Sequence, residues 1–337
     1  MALAKFASLI VVQAASLHLF LVKIMERTAV LEPQIQRNEP LPTGHWKMRQ
    51  HMAPYLFLMP YFVVTLAFFL YPLINSIILS FYQTDGPHSR VFLGLENFRF
   101  ILHDPNFWTA LKNTTIYAIF SVGLMLPISL GLALLLNAQH NRMKGIFRLI
   151  IFSPHLVGQV FVAVLFGVIF TPKYGLFNRF LQSLIGWGLE QNWFATPTLV
   201  MPALVIISIW MYAGFNMIYF LAALQNVDQN LVEAARIDGA NSWSVFWHIT
   251  LPALKPVATF VVVVSTIYSY QLFELPYVLL QGYGPNNAGL TLVGYLYDTA
   301  FESGDLGTGA AIGWLLASII FLISIAQVRL SGTMRTD

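Results

Sequence analysis

The chain has 337 residues, of which 57% are hydrophobic and only 10% are charged. Soluble domains average about 25% charged residues, so this composition excludes an ordinary water-facing globular protein. The net charge of +3 does not indicate nucleic-acid binding, and the lack of cysteine excludes disulfides and thiolate metal sites.

The N-terminal segment contains an apolar stretch over residues 6–22, followed by Lys23 and Arg27. Three interpretations remain open: an additional span, a helix lying in the membrane interface, or a signal peptide. The basic residues after the stretch favour an additional span whose C-terminal end faces the cytoplasm. Residues 1–50 are therefore predicted to form a hydrophobic helix followed by a polar cytoplasmic linker.

Six further stretches are apolar and long enough to cross a bilayer, which needs about 20 helical residues. A backbone in lipid must satisfy its own hydrogen bonds, so each stretch is expected to be helical, and prolines inside them predict kinks rather than breaks. The chain is therefore predicted to be an all-α polytopic membrane protein, with a transmembrane domain over 51–330 and a tail over 331–337. The six predicted spans cover residues 53–82, 113–137, 148–171, 198–224, 256–280 and 308–328.

Lysine and arginine are concentrated on one side of these spans. The excess predicts that segment 23–51, loop 228–252 and the C-terminus lie in the cytoplasm. The loops on the opposite side, over 83–111 and 172–197, are predicted to hold short helices and aromatic residues at the membrane surface.

Residues 228–252 form a polar, helix-compatible segment between spans four and five. Asp228 is predicted to cap a helix that begins near Gln229, because its carboxylate accepts hydrogen bonds from unpaired backbone N–H groups. Gly239 is predicted to end that helix in the left-handed conformation.

A second short helix is predicted to follow, capped by Asn241 or Ser242. The pair Leu251-Pro252 is expected to break this helix before span five. The two helices would form a rigid elbow that can move as a unit.

The segment contains a fixed order of small, acidic and apolar residues: Glu233, Ala234, Ala235, Gly239, Ile249, Leu251 and Pro252. This order resembles the EAA loop of binding-protein-dependent ABC importers. In that family the loop is the cytoplasmic coupling helix through which a membrane subunit binds its ATPase. The resemblance implies a six-span type I importer permease rather than an enzyme.

Weaker motifs resemble the sugar-type branch of the family, which includes the maltose and glycerol-3-phosphate importer subunits. They are Asn113-Thr114, the run 131–137, Gly284-Pro285, and the aromatic residues Tyr295, Tyr297 and Phe301. The resemblance covers roughly residues 52–330 and implies import of a mono- or oligosaccharide. Glycerol-3-phosphate and an acidic oligosaccharide remain alternatives. Spans four to six contain no Arg or Lys to bind a phosphate, which favours a neutral sugar.

The resemblance also implies partners. These are a second homologous permease, two ATPase chains that bind ATP and Mg²⁺, and an extracytoplasmic solute-binding protein, all at a bacterial or archaeal inner membrane. The chain has no G-x-x-x-x-G-K-[ST] loop, which argues against a fused ATPase. No cofactor or metal is expected in this chain.

Polar residues inside spans four and five are candidates for the solute pathway, because polar groups in a membrane bundle tend to be functional. Packing by interhelical hydrogen bonds is the alternative for each of them. Glu274 differs, because a carboxylate near a span needs a partner or water. The candidates are Trp210, Tyr212, Asn216, Tyr270, Gln271 and Glu274.

Asp298, Glu302 and Asp305 precede span six on the predicted outer side. The i, i+4 spacing of Asp298 and Glu302 could hold a cation, but an acidic face that contacts the binding protein is the favoured interpretation. The histidines are dispersed without metal-ligand spacing.

Two rival classes predict other features. A secondary transporter predicts buried coupling carboxylates and an inverted repeat, whereas a membrane enzyme predicts clustered His or Asp. The sequence shows neither pattern clearly.

Overall fold

The computed structural model describes residues 44–85, 89–138, 143–186 and 188–332. The chain divides into two compact units, Met1–Ser76 and Ile77–Asp337. The predicted helix over 6–22 and most of its linker lie outside the described residues, as does the tail beyond 332. Among the described residues, five helices are long and apolar enough to cross a membrane, and a helix pair bent by 98° brings the number to six if it is counted as one span.

The first span runs over Pro54–Leu79, close to the predicted 53–82. It consists of α1 (Gly44–Thr65), a π-helical turn (Leu66–Leu70) and α2 (Tyr71–Leu79). The helix passes through Pro54 and Pro60 without ending, as predicted.

A short β-hairpin follows, which the all-α prediction missed. Its strands are β1 (Tyr82–Asp85) and β2 (Ser89–Phe92), antiparallel with Tyr82 opposite Phe92. The next helix, α3 (Glu96–His103), holds the hairpin in place. The amide of Asn97 donates 2.9 Å hydrogen bonds to the carbonyl oxygens of Ser80 and Tyr82.

The second span begins eight residues before the predicted start, in α4 (Pro105–Ala138). Proline suits the first turn of a helix because its missing N–H would have no partner there. The Asp104 carboxylate accepts a 2.8 Å hydrogen bond from the Asn106 N–H. Asn113 therefore lies inside the helix, where its side chain donates to the carbonyl oxygens of Asn287 and Leu290.

The third span is broken. Helix α5 (Lys144–Phe152) continues as a 3-10 turn (Ser153–Leu156), and α6 (Gln159–Ile169) leaves at an angle of 98°. The prediction that proline only kinks the spans is wrong here. Pro154 supplies no N–H to an α-helix, and Gly158 adopts an extended backbone (φ −62°, ψ 142°) just before α6.

A short surface helix, α7 (Leu176–Ile185), leads to α8 (Pro197–Gln225), which confirms the predicted fourth span. Gly214 allows α8 to approach the α5 backbone. A Cβ atom at this position would lie 1.9 Å from the carbonyl oxygen of Ile151.

The loop after α8 holds α9 (Gln229–Ile237) and α10 (Ser242–Val245). A π-helical turn (Phe246–Thr250) then joins α10 to α11 (Leu251–Tyr270), so one helix runs from Ser242 to Tyr270. The predicted break at Leu251-Pro252 is therefore wrong. The Leu251 N–H donates a hydrogen bond to the Phe246 carbonyl oxygen, five residues earlier. This spacing makes the turn wider than an α-helical turn, and the wider turn accommodates the proline.

Span five also ends earlier than the predicted residue 280. The helix stops at Tyr270, and the separate helix α12 (Glu274–Leu279) follows. In a continuous helix Pro276 would leave the Leu272 carbonyl unpaired. Instead this oxygen accepts a 2.7 Å hydrogen bond from the Thr291 hydroxyl.

The chain then forms a 3-10 turn (Pro285–Asn287), α13 (Leu292–Tyr297), a π-helical turn (Asp298–Glu302) and α14 (Leu306–Ser331). Helix α14 confirms the sixth span. Asp305 caps it, because one carboxylate oxygen accepts from the N–H groups of Gly307 and Thr308. The same oxygen accepts from Thr84 in β1, which ties the hairpin to α14.

Helix α4 packs along α8, and α11 packs against both α4 and α14. Hydroxyl and amide pairs link these helices: Tyr117 with Ser208 at 2.5 Å, Ser121 with Ser269 at 3.2 Å, and Gln327 with Thr266 at 2.8 Å. Such bonds contribute about 0.6 kcal/mol each on average in membrane proteins. They set which helix faces meet.

Candidate functional site

The elbow between α8 and α11 has the predicted caps. The Asp228 carboxylate accepts a 2.8 Å hydrogen bond from the Asn230 N–H at the start of α9. The Asn241 side chain accepts a 2.8 Å bond from the Ser244 N–H at the start of α10. Asn241, rather than Ser242, therefore supplies the second cap, and each capped helix keeps a defined start.

Gly239 ends α9 in the left-handed conformation, with φ +86°. Its N–H donates to the Arg236 oxygen, and the Ala240 N–H donates to the Ala235 oxygen at 2.9 Å. This pair of bonds is the Schellman arrangement, which satisfies the last carbonyl groups of a helix. The turn is thus fixed by backbone bonds.

The predicted coupling residues are divided between the surface and the base of the elbow. Glu233, Ala234, Gly239 and Pro252 are exposed, whereas Ala235, Ile249 and Leu251 are half-buried.

Large apolar side chains on the elbow are also exposed. Ile237 is 86% exposed and Trp243 is 69% exposed, and Leu231 and Trp247 are exposed as well. Exposed apolar groups beside polar ones are typical of a protein docking surface.

A polar-aromatic strip runs along α8 and the α5–α6 break. We use this name for His155, Gln159, Tyr212, Phe215 and Tyr219, all half-buried. The Gln159 amide donates a 2.7 Å hydrogen bond to the Tyr212 hydroxyl. The His155 ring stacks on Phe215 at 4.2 Å, and the Tyr219 ring meets Phe215 edge-on at 5.3 Å.

Only Tyr212 of this strip was predicted from the sequence as a pathway residue. The spacing of residues 212, 215 and 219 places them on one helix face, so the sequence held this signal. His155 and Gln159 could not be found in the same way, because the unpredicted 98° bend brings them to α8.

The other candidates in spans four and five occupy different positions. Asn216 is buried and donates to the Ser265 hydroxyl at 3.3 Å, and the buried Tyr270 pairs with Thr115 at 3.1 Å. Trp210 packs edge-on against Phe166 at 5.2 Å. These three contacts join helices.

Gln271 and Glu274 do not share a helix face. The chain leaves the helix at Gln271 (φ −95°, ψ 12°), and Phe273 has an extended φ of −147° before α12 begins. Glu274 instead begins α12, which packs against α6.

Near the end of α11 that is opposite the elbow, two tyrosine hydroxyls donate hydrogen bonds to carboxylates. The Tyr283 hydroxyl donates to Asp298 at 2.5 Å, and the Tyr277 hydroxyl donates to Glu302 at 3.2 Å. Burial raises the pKa of the Asp298 carboxyl, although the Tyr283 bond opposes this effect. Hydrogen bonding to Glu302 raises the pKa of Tyr277. Both tyrosines therefore remain neutral donors at physiological pH.

The three predicted acidic residues do not form one group. Asp305 is the cap of α14, with its second oxygen accepting from the Thr308 hydroxyl at 2.7 Å. Its carboxylate is thus used within the fold, apart from Asp298 and Glu302.

A membrane-crossing helical bundle joined to a capped elbow defines the class of protein, a polytopic transport permease. The chain belongs to the family described as "Binding-protein-dependent transport system inner membrane component", whose model matches residues 110–336. It is therefore a multi-pass inner-membrane component of that family.

Relatives with known names cover most of the chain. The arabinooligosaccharides transport system permease protein AraP of Bacillus subtilis is 41% identical over 286 residues, which is 85% of this chain and 90% of AraP. The lactose transport system permease protein LacF of Rhizobium radiobacter is 35% identical over 81% of this chain and 92% of LacF. The sn-glycerol-3-phosphate transport system permease protein UgpA of Yersinia enterocolitica is 33% identical over 82% of this chain and 92% of UgpA.

One solved structure with the same fold is a bacterial ABC transporter involved in the import of the acidic polysaccharide alginate. The match has a TM-score of 0.74 at 24% identity and covers 86% of this chain and 99% of that one. The permease fold predicted from the sequence is thereby confirmed.

Proposed function

We propose that this chain is the permease subunit of an ATP-driven, binding-protein-dependent importer of a carbohydrate. One observation carries the proposal: the capped elbow continues without a break into the 29-residue helix Ser242–Tyr270. At about 1.5 Å per residue this helix is roughly 43 Å long, enough to cross a bilayer. Because this helix is continuous, a displacement of the elbow would be transmitted along it to the opposite side of the membrane.

The elbow has the surface that an ATPase partner needs. Glu233 and the small Ala234 are exposed on α9, next to the apolar Leu231 and Ile237. Small side chains let a partner helix approach closely, and exposed apolar ones lose water on docking. The ATP and Mg²⁺ would be bound by that partner rather than by this chain.

A neutral solute fits the inner surfaces of the long helices. In α8, α11 and α14 the only Lys or Arg residues are Lys255 and Arg329, near the elbow end. A phosphate or carboxylate substrate would need a cation along its path. The strip instead offers aromatic rings and neutral hydrogen-bonding groups, which suit the C–H faces and hydroxyls of a sugar. The names of AraP and LacF point to the same substrate class.

The assembly would contain a second, homologous permease, two ATPase chains and an extracytoplasmic binding protein. The elbow and the C-terminus would face the cytoplasm, because Lys and Arg predominate on that side. Solute would pass between the two permeases as the docked elbows move.

ATP-dependent uptake tests this function directly. The assembled transporter, reconstituted in proteoliposomes with its binding protein, should accumulate a radiolabelled arabinooligosaccharide only when ATP is supplied. Tyr212→Ala should reduce this uptake, whereas Tyr174→Ala, at a 75% exposed position outside the strip, should not. Uptake driven by an ion gradient without ATP would contradict the proposal.

A further inference from the structure

A cavity of about 510 Å³ lies in the segment between α11 and α14. Its walls are two tyrosine rings, a glutamine and two carboxylates, together with backbone at a turn. The lining residues are Tyr277, Val278, Gln281, Gly282, Tyr283, Asp298 and Glu302. The volume falls within the range of about 300–1,000 Å³ that small-molecule pockets have.

The cavity walls combine flat apolar rings with fixed hydrogen-bond acceptors. Tyr277 belongs to an aromatic group with Phe273 at 5.1 Å and Tyr297 at 5.4 Å, which holds its ring in place. Asp298 and Glu302 each accept one hydrogen bond from a tyrosine hydroxyl. An ionised carboxylate has about four acceptor positions, so several remain for the O–H donors of a ligand.

The cavity is connected to the polar-aromatic strip by α12. Helix α6, which begins at Gln159 of the strip, packs against α12, which begins at Glu274. Tyr277 is one turn further along the same helix and lines the cavity. Tyr277 of the cavity and Gln159 of the strip thus belong to two helices that are in contact.

We infer that this cavity is an outer receiving subsite for one ring of a neutral saccharide, with the ring stacked on Tyr277 and its hydroxyls bound by Asp298, Glu302 and Gln281. The inference rests on the proposed function and makes its substrate class more specific. The two carboxylates, with no lysine or arginine among the lining residues that the structure describes, repel an anionic sugar.

Binding to the assembled transporter tests the subsite. The full chain with its partner permease and ATPases, in nanodiscs without the binding protein, is titrated with neutral arabinotriose and with anionic trigalacturonate. Wild type should bind arabinotriose and not trigalacturonate. Tyr277→Ala should weaken arabinotriose binding by about tenfold, the equivalent of 1.4 kcal/mol. Tyr277→Phe, which keeps the ring but loses the bond to Glu302, should retain most of it.

The double variant Asp298→Asn, Glu302→Gln should gain trigalacturonate binding, since the repulsion is removed. Tyr174→Ala, at an exposed position away from the cavity, serves as the control. Unchanged affinities for both trisaccharides in all variants, with wild type still importing sugar, would overturn the subsite alone. Equal loss in Tyr277→Ala and Tyr277→Phe would also overturn it. Failure of wild type to bind or import any saccharide would overturn the proposed function as well.

Discussion

Two glycines show how single residues shape the elbow and the bundle for different reasons. Gly239 has open space around its Cα but a φ of +86°, so its role is conformational. Gly214 has ordinary helical geometry but no space, because the Ile151 carbonyl lies where a Cβ atom would be. The first role was predictable from the sequence, since a glycine after a capped helix is a known stop signal. The second was not, because the close approach depends on the broken third span.

Gly214→Ala is expected to destabilise the fold, because the added methyl meets backbone that cannot rotate away. Overpacking lowers the free energy of unfolding by about 1–3 kcal/mol. We expect a loss near the upper end of this range, because the neighbouring Ile151 backbone is rigid. Thermal unfolding of the purified chain in detergent measures the effect. Gly131→Ala in α4, where nothing lies within 4 Å, is the matched control. Equal melting temperatures for the two variants would contradict the close contact.

Gly239→Ala is expected to cost about 1–2 kcal/mol, the strain of a left-handed alanine, without any clash. The strain should appear as faster amide hydrogen exchange in α9 alone. Protection of the α8 and α11 amides should stay unchanged. If Gly239→Ala leaves the exchange in α9 unaltered, the φ of +86° is not required there.

At the scale of elements, three of the prolines within the spans illustrate two outcomes. Pro72 and Pro252 each follow a π-helical turn, Leu66–Leu70 and Phe246–Thr250, and both helices continue. The wide turn shifts the carbonyl with which the proline ring would clash. Pro154 instead lies in a 3-10 turn, and the helix breaks. Sequence patterns located the spans, but they could not distinguish a continuing helix from a broken one. The two outcomes differ only in whether a π-helical or a 3-10 turn forms near the proline, and the sequence pattern does not indicate which turn forms.

The cap at α10 gives a test with adjacent residues. Asn241→Ala should remove the hydrogen bond to the Ser244 N–H and destabilise the start of the helix by about 0.5–2 kcal/mol. Ser242→Ala should have a smaller effect, because Asn241 supplies the observed cap. Hydrogen exchange at residues 243–246 distinguishes the two. A larger effect of Ser242→Ala would reverse the assignment.

At the scale of the whole molecule, the two ends of the helix Ser242–Tyr270 lie near two different proposed sites. The elbow lies at one end, and the cavity beside Tyr277 lies at the other. The sequence predicted the elbow and the positions of most spans in the part of the chain that the structure describes, because apolar length and caps are local signals. It missed the cavity and most of the strip, because these depend on which helices meet and on an early end of α11 at Tyr270.

Single cysteines test the orientation, because the natural chain contains none. Ile237→Cys on the elbow should react with an impermeant maleimide only in inside-out vesicles. Tyr174→Cys, in the loop before α7, should react only in right-side-out vesicles. The opposite labelling pattern would invert the predicted topology and place the elbow outside.

The most direct test of the central claim, coupling through the elbow, is purification of the tagged chain from its native membrane and mass spectrometry of the bound proteins. We predict an ATPase, a homologous permease and a solute-binding protein with wild type. Gly239→Pro should insert and keep the homologous permease but lose the ATPase, because proline cannot adopt a φ of +86°. Wild-type chain that purifies alone and still transports without ATP would contradict the account, as would normal uptake by Gly239→Pro.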